Sequence, residues 1–243
     1  MAVPDPRAGV FETLLVQHGL VVNADAHLDR LAGSVRELYD VSLDVRAARQ
    51  RLLELAADTA GPRRVRITFR PGLSGVEVSA TELRVRPRAP WRLVPCVLPG
   101  GLGRHKWVDR AALEALPGAP WTGDSDPLLT DRGGGVLETG RGNVFAVVGD
   151  VVSTPRDDGR ILAGVVRSQV RDLLRGLGAR VRELELSLDD LRAADDVFVT
   201  NSIGGVRSVA ECVGVGVWSE GELVGRLRSD LEAAWRPPDP ALP

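Results

Sequence analysis

Along this chain the hydrophobic period switches repeatedly between two and about 3.6, and that alternation limits the fold more than any other feature. Phe11 to Val16 and Leu20 to Val22 predict a β-hairpin around Gln17, His18 and Gly19. Ala24 to Tyr39 predicts an amphipathic helix, with Leu28, Leu31, Val35 and Leu38 on one face and Asp25 as its cap. Asp44 to Ala57 predicts a second helix that buries Leu52, Leu53 and Ala56. Arg63 to Arg70 alternates as a strand, with Val65, Ile67 and Phe69 inward; Val76 to Val85 and Trp91 to Leu98 read as further strands.

Pro99, Gly100, Gly101 and Gly103 then break the pattern, which places a boundary between lobes at 1–99 and 100–243. Beyond it, Val108 to Leu116 predicts a short helix. Leu128 to Thr130, Gly142 to Val148 and Val151 to Thr154 predict a meander of strands. Helices are expected at Val165 to Leu177, Leu188 to Ala194 and Gly221 to Trp235, with strands at Val181 to Leu186, Val197 to Thr200 and Val206 to Val209. Gly133, Gly134 and Gly135 read as a tight turn. The pattern predicts a two-lobed α+β protein.

Composition removes several function classes. A net charge of −2 and a pI of about 6.0 do not favour nucleic acid as a partner. No stretch approaches the roughly 20 apolar residues of a membrane span, and Met1 to Gly9 lacks the apolar run of a signal peptide. Cys96 and Cys212 are far apart and form no CxxC pair, so free thiols in a reducing, cytoplasmic setting are expected. His18, His27 and His105 show no zinc spacing, and no GxSxG, GxGxxG or Walker A run is present; no metal is expected.

The cations carry a sharper signal. Of 31 basic residues only Lys106 is a lysine. A position that needs charge alone could equally be arginine. An amine that loses its proton and attacks a carbon must be lysine, because a guanidinium stays charged. Other signals are weak singly. Gly164 precedes a helix whose first N–H groups could take an anion. Glu138 opens a glycine-containing turn, Ser202 follows a strand, and Arg30 lies on the first helix.

Taken in order, Phe11-Glu12-Thr13-Leu14, His27-Leu28-Asp29-Arg30-Leu31, His105-Lys106-Trp107-Val108-Asp109-Arg110, Glu138 to Phe145, Thr154-Pro155, Ile161 to Arg167 and Ser202 to Val209 resemble the class IV aminotransferase-like enzymes, over about residues 10 to 215. The resemblance implies the two-lobed fold-type IV architecture, like that of D-amino-acid aminotransferase, with pyridoxal 5'-phosphate (PLP) between the lobes. It implies that Lys106 forms the Schiff base with PLP and later moves the substrate proton. Glu138 would pair with the pyridinium nitrogen. Arg30, the backbone at Val165 and Val166, and Ser202 would hold the phosphate. Arg104 and Arg207, close to the motifs in sequence, are candidates for substrate carboxylates. Val166 stands where the family often has threonine, and Ala111 where its aminotransferases commonly have tyrosine. The run Lys106-Trp107-Val108-Asp109-Arg110 resembles the lyase branch, which implies conversion of 4-amino-4-deoxychorismate to 4-aminobenzoate and pyruvate by a cytoplasmic homodimer. A branched-chain or D-amino-acid aminotransferase, and a relative that no longer binds PLP, are the alternatives.

Overall fold

The computed structural model describes residues 4–57, 61–84, 89–121 and 123–237. Its contacts divide the chain into two compact units. One holds described residues 4–84, 105–110 and 232–237; the other holds 89–104 and 111–231.

The first unit is built on β1 (Val10–Gln17), β2 (Leu20–Val21), α1 (Ala24–Tyr39), α2 (Val45–Ala57), β3 (Arg63–Phe69) and β4 (Glu77–Glu82). The strands form an antiparallel sheet in the order β2-β1-β3-β4, with β1 and β3 paired from Val10↔Phe69 to Val16↔Arg63. Val10, Leu14 and Val16 from β1 meet Val65, Ile67 and Phe69 from β3. Together they pack on Leu28, Leu31 and Val35 of α1 and Ala48, Leu52 and Ala56 of α2. The other edge of β1 is shared. β2 pairs at its far end, and residues 106–108 pair near its start. There the Phe11 N–H donates to the Lys106 carbonyl at 2.9 Å, and the Val108 N–H donates to the Gly9 carbonyl at 3.0 Å. Gly9 has φ +94, and a Cβ there would lie 2.1 Å from the Phe69 carbonyl oxygen, so only glycine lets the chain enter β1 this closely.

The second unit contains β5 (Trp91–Val97), α3 (Ala111–Glu114), β6 (Ser125–Thr130), β7 (Gly135–Thr139), β8 (Asn143–Val148), β9 (Val151–Pro155) and α4 (Val165–Gly176). It continues through β10 (Arg180–Leu184), β11 (Leu186–Ser187), α5 (Leu188–Arg192), β12 (Asp196–Asn201), β13 (Gly205–Cys212) and β14 (Gly216–Val217) into α6 (Glu222–Ala234). Ten strands form one mixed sheet in the order β10-β9-β8-β12-β13-β5-β6-β7-β11, with β14 on β13. Trp91, Leu93, Leu128, Val144, Val199 and Trp218 share one core; Cys96, Leu113, Leu129, Leu137 and Ile161 share another. No described helix is long and apolar enough to cross a membrane.

Several local expectations are corrected. Asn23, in the left-handed region, precedes α1 without a side-chain cap, and Asp25 lies inside the first turn. Leu53 is 48% exposed, and Ala48 takes the inward position beside Leu52 and Ala56. The helix expected over Val108 to Leu116 shrinks to α3, because residues 106–108 are spent on β1. Glu138 lies within strand β7 rather than opening a turn. The meander is interrupted: β8 pairs with β9 and β12, while β6 pairs with β5 and β7. The strand expected over Val181 to Leu186 splits at Glu185 into β10 and β11, which pair with different neighbours. Val85, at the expected end of a strand, lies outside the described residues.

Candidate active site

In the first unit, Lys106 is half-buried, and its Nζ lies 5.0 Å from the centroid of the Phe11 ring. Its backbone carbonyl accepts from the Phe11 N–H beside the isolated Val10–Trp107 bridge, which ties the lysine to the start of β1. His105 secures the preceding position through Nδ1, 3.0 Å from the Ser34 hydroxyl on α1. Asp109 secures the following one by accepting from the Asp5 N–H at 2.8 Å.

Arg30 is held from behind by a buried carboxylate. Glu12 is 1% exposed and points to the helix side of β1. It accepts from Arg30 Nε and Nη2, both at 2.7 Å, and its second oxygen also lies 2.8 Å from His27 Nδ1. Burial alone pushes the Glu12 carboxyl up. The Arg30 charge and the hydrogen bonds from His27 and Arg30 outweigh it and hold the group down at about 2.

In the second unit, Glu138 is 4% exposed on β7. Its Oε2 accepts from the Leu162 N–H at 3.2 Å, and Asn143 Nδ2 donates to the Leu162 carbonyl at 2.9 Å. Two side chains from neighbouring strand ends thus grip both polar groups of one peptide residue. Two residues later Gly164 starts α4, with no side-chain cap and no acid in the first turn. The start of α4, at Val165 and Val166, thus carries the positive end of the helix dipole without a side-chain cap or an acid in its own first turn. Val166 itself is 2% exposed, so it offers backbone and no side-chain polarity. Ser202 lies in the turn between β12 and β13, which the Asn201 side chain shapes by accepting from the Ile203 and Gly204 N–H groups at 3.0 and 2.7 Å. Just before it, Thr200 is 1% exposed, with a hydroxyl oxygen that meets no hydrogen-bond partner among the described residues.

Arg104 is exposed and lies against Gly159. Arg207 is committed within its unit: it donates to the Ala89 carbonyl and, at 3.0 Å, to Asp124, over the Trp91 ring. Within the first unit the structure gathers Arg30 with Glu12 and His27, and places Lys106 against Phe11. Within the second it ties Glu138 to the start of α4. Sequence reasoning assigned no role to Glu12, His27 or Asn143. Glu12 was detectable, because a carboxylate stands where the alternation of Val10, Leu14 and Val16 calls for an apolar side chain.

These residues fit PLP by the chemistry of their donors. By donor type, Arg30 in the first unit suits a phosphate, and so does the start of α4 in the second. A pyridinium needs a buried acid, which Glu138 supplies, and an aldehyde needs an amine, which Lys106 supplies. The orphaned Thr200 hydroxyl is a further donor close in sequence to Ser202.

The family model for amino-transferase class IV matches residues 9–212, and the chain belongs to that family. The branched-chain amino acid aminotransferase 1, mitochondrial, of Humulus lupulus is 38% identical over 115 residues, 46% of this chain and 29% of that relative. A methionine aminotransferase of Arabidopsis thaliana is 41% identical over 116 residues, 46% of this chain and 33% of the relative. These matches thus span about a third of the curated relatives' own length. Among solved structures, 4-amino-4-deoxychorismate lyase from Pseudomonas aeruginosa superposes with a TM-score of 0.78 at 24% identity, covering 96% of this chain and 94% of that one. A hypothetical aminotransferase from Mycobacterium tuberculosis in its PLP-bound form gives 0.82 at 22% identity, covering 97% and 92%. The architecture is therefore the α+β fold of class IV aminotransferases.

Proposed function

We propose that this chain is a PLP-dependent enzyme that converts 4-amino-4-deoxychorismate to 4-aminobenzoate and pyruvate. The observation that carries the PLP reading is the double grip on Leu162. A buried carboxylate and an anion-ready helix start are built as one piece, as a ligand with a basic ring nitrogen at one end and a phosphate at the other requires. When bound, PLP supplies an electron sink for the charge left on a substrate carbon that has lost a proton.

The chain's own groups divide the remaining work. Lys106 is the amine that holds the cofactor covalently and then takes the proton from the substrate carbon bearing the amino group. Glu138 keeps a proton on the ring nitrogen. Arg30, the Val165 and Val166 N–H groups and Ser202 hold the phosphate. As the proton leaves, the carbon–oxygen bond to the enolpyruvyl group breaks, the six-membered ring becomes aromatic, and protonation of the departing enolpyruvate gives pyruvate. Arg104 and Arg207 are the candidates for the substrate carboxylates, and Arg207 also donates to Asp124 and the Ala89 carbonyl.

The lyase reading is supported by the run Lys106 to Arg110 and by Ala111, which begins α3 where transaminases of the family commonly have tyrosine. The only tyrosine, Tyr39, donates its hydroxyl to the Pro6 carbonyl at 2.7 Å. A second reading, amino transfer from branched-chain amino acids, is favoured by the curated relatives. Purified protein with PLP and 4-amino-4-deoxychorismate decides between them. Release of one pyruvate per 4-aminobenzoate with no keto acid added is expected. Amino transfer from leucine to 2-oxoglutarate without pyruvate release would replace the lyase with the transaminase. From the family resemblance we also propose a cytoplasmic homodimer, which light scattering and cell fractionation test.

A further inference from the structure

On β1, Val10, Leu14 and Val16 face the helices, and Glu12 shares that face. A leucine or valine there, with His27 and Arg30 also made apolar, would extend the core. A carboxylate must instead be desolvated and then compensated, and replacing such buried ionic groups by well-packed apolar ones is often neutral or stabilising. Fold stability alone therefore gives no reason for this triad.

Its geometry gives one. Arg30 and His27 are three residues apart on α1 and so share a helix face. Glu12 meets the Nε and Nη2 edge of Arg30 with two parallel bonds of 2.7 Å. That side-on fork fixes both the position and the plane of the guanidinium, and hence the directions of all its donors. His27, itself 1% exposed, contacts the same carboxylate at 2.8 Å and limits its rotation. Left alone, an arginine side chain on a helix surface would sample many rotamers, and each anion bound would have to freeze them.

We propose that Glu12, steadied by His27, is a positioning residue that pre-orients Arg30 for a phosphate monoester, and so sets how strongly the protein prefers PLP to pyridoxal, which lacks the phosphate. This rests on the assignment of Arg30 to the cofactor phosphate made above.

The test is a pair of titrations of the apoprotein, one with PLP and one with pyridoxal, read by visible absorbance and tryptophan fluorescence. The measured quantity is the ratio of the two dissociation constants. In Glu12→Gln that ratio is expected to fall about 10-fold, the size of one charge-assisted contact, while pyridoxal affinity changes by less than about 3-fold. A purely structural role would weaken both ligands together. Arg30→Lys keeps the charge but not the fork and is expected to lower the ratio similarly. Adding Glu12→Gln to Arg30→Lys should then change it by less than about 2-fold, since the two act as one unit. If Glu12→Gln does not fold, His27→Gln leaves the fork in place and should lower the ratio by a smaller factor. An unchanged ratio in the folded variant, or independent effects in the double variant, overturns the proposal. If wild-type protein shows no preference for PLP over pyridoxal, the assignment of Arg30 fails instead.

Discussion

The Leu162 N–H donates to Glu138 Oε2 at 3.2 Å, so the buried acid of β7 also fixes the loop that leads into α4. Asn143 completes the arrangement by donating to the carbonyl of the same residue at 2.9 Å. Asn143 is 4% exposed, and its removal leaves that carbonyl short of a donor inside the protein. Asn143→Ala is expected to cost about 1–3 kcal/mol of stability, the penalty for an unsatisfied buried polar group. Urea titration followed by circular dichroism measures it. A loss below about 0.5 kcal/mol would show that the carbonyl finds another donor.

Gly164 is required by the same arrangement. A Cβ at this position would lie 2.0 Å from Asn143 Oδ1, closer than any real contact, while the backbone at φ −65 is ordinary for any residue. The clash is therefore steric, and its relief is specific. Gly164→Ala should destabilise wild-type protein and weaken PLP binding, because Asn143 and the first turn of α4 cannot both keep their places. In an Asn143→Ala background the added cost should be much smaller, a coupling that a double-mutant cycle reads directly.

The extent to which the sequence exposed this organisation differs between the two levels. α1 and the β1–β3 sheet were legible because their apolar residues recur at one clean period against a single core. β7 was not. Val136 and Leu137 are adjacent and both buried, and Glu138 and Thr139 are buried polar residues, so no alternation exists to detect. The site shows the same division. Lys106 stood out by chemistry, as the one lysine among arginines. The double grip on Leu162 joins residues 138, 143 and 162, and nothing in local periodicity reports a backbone group bound from two strands away. The short helix expected after Lys106 was overestimated because propensity does not register that residues 106–108 pair with β1.

Acid should separate Glu12 from the other carboxylates. Its folded value of about 2 lies below its ordinary 4.5, so the ionised form is favoured by folding. That contribution is complete above pH 4.5 and disappears as pH falls towards 2. Asp126 and Asp196, whose carboxyls burial pushes up, act in the opposite sense. They are common to wild type and Glu12→Gln, so they cancel in the difference. Glu12→Gln should be less stable at neutral pH by a few kcal/mol, about what removal of one partner from a buried pair costs. The gap should close between pH 4.5 and 2. Thermal melting across that range measures it, and a gap independent of pH would contradict the assigned ionisation.

Lys106 separates chemistry from architecture most cleanly. Its backbone carbonyl accepts from the Phe11 N–H, and that bond does not depend on the side chain. One contact of the side chain is with the Phe11 ring, 5.0 Å from Nζ, and an exposed or half-buried cation over a ring contributes about 0.5–1 kcal/mol. Lys106→Ala is expected to keep the fold, as circular dichroism checks, because the backbone bond to Phe11 survives. Its visible absorbance with PLP should be that of free cofactor, and turnover should fall by several orders of magnitude. Lys106→Arg restores the charge over the ring but no attacking amine, so it should keep the fold without the absorbance change or the activity. Activity in either variant would place the covalent amine elsewhere.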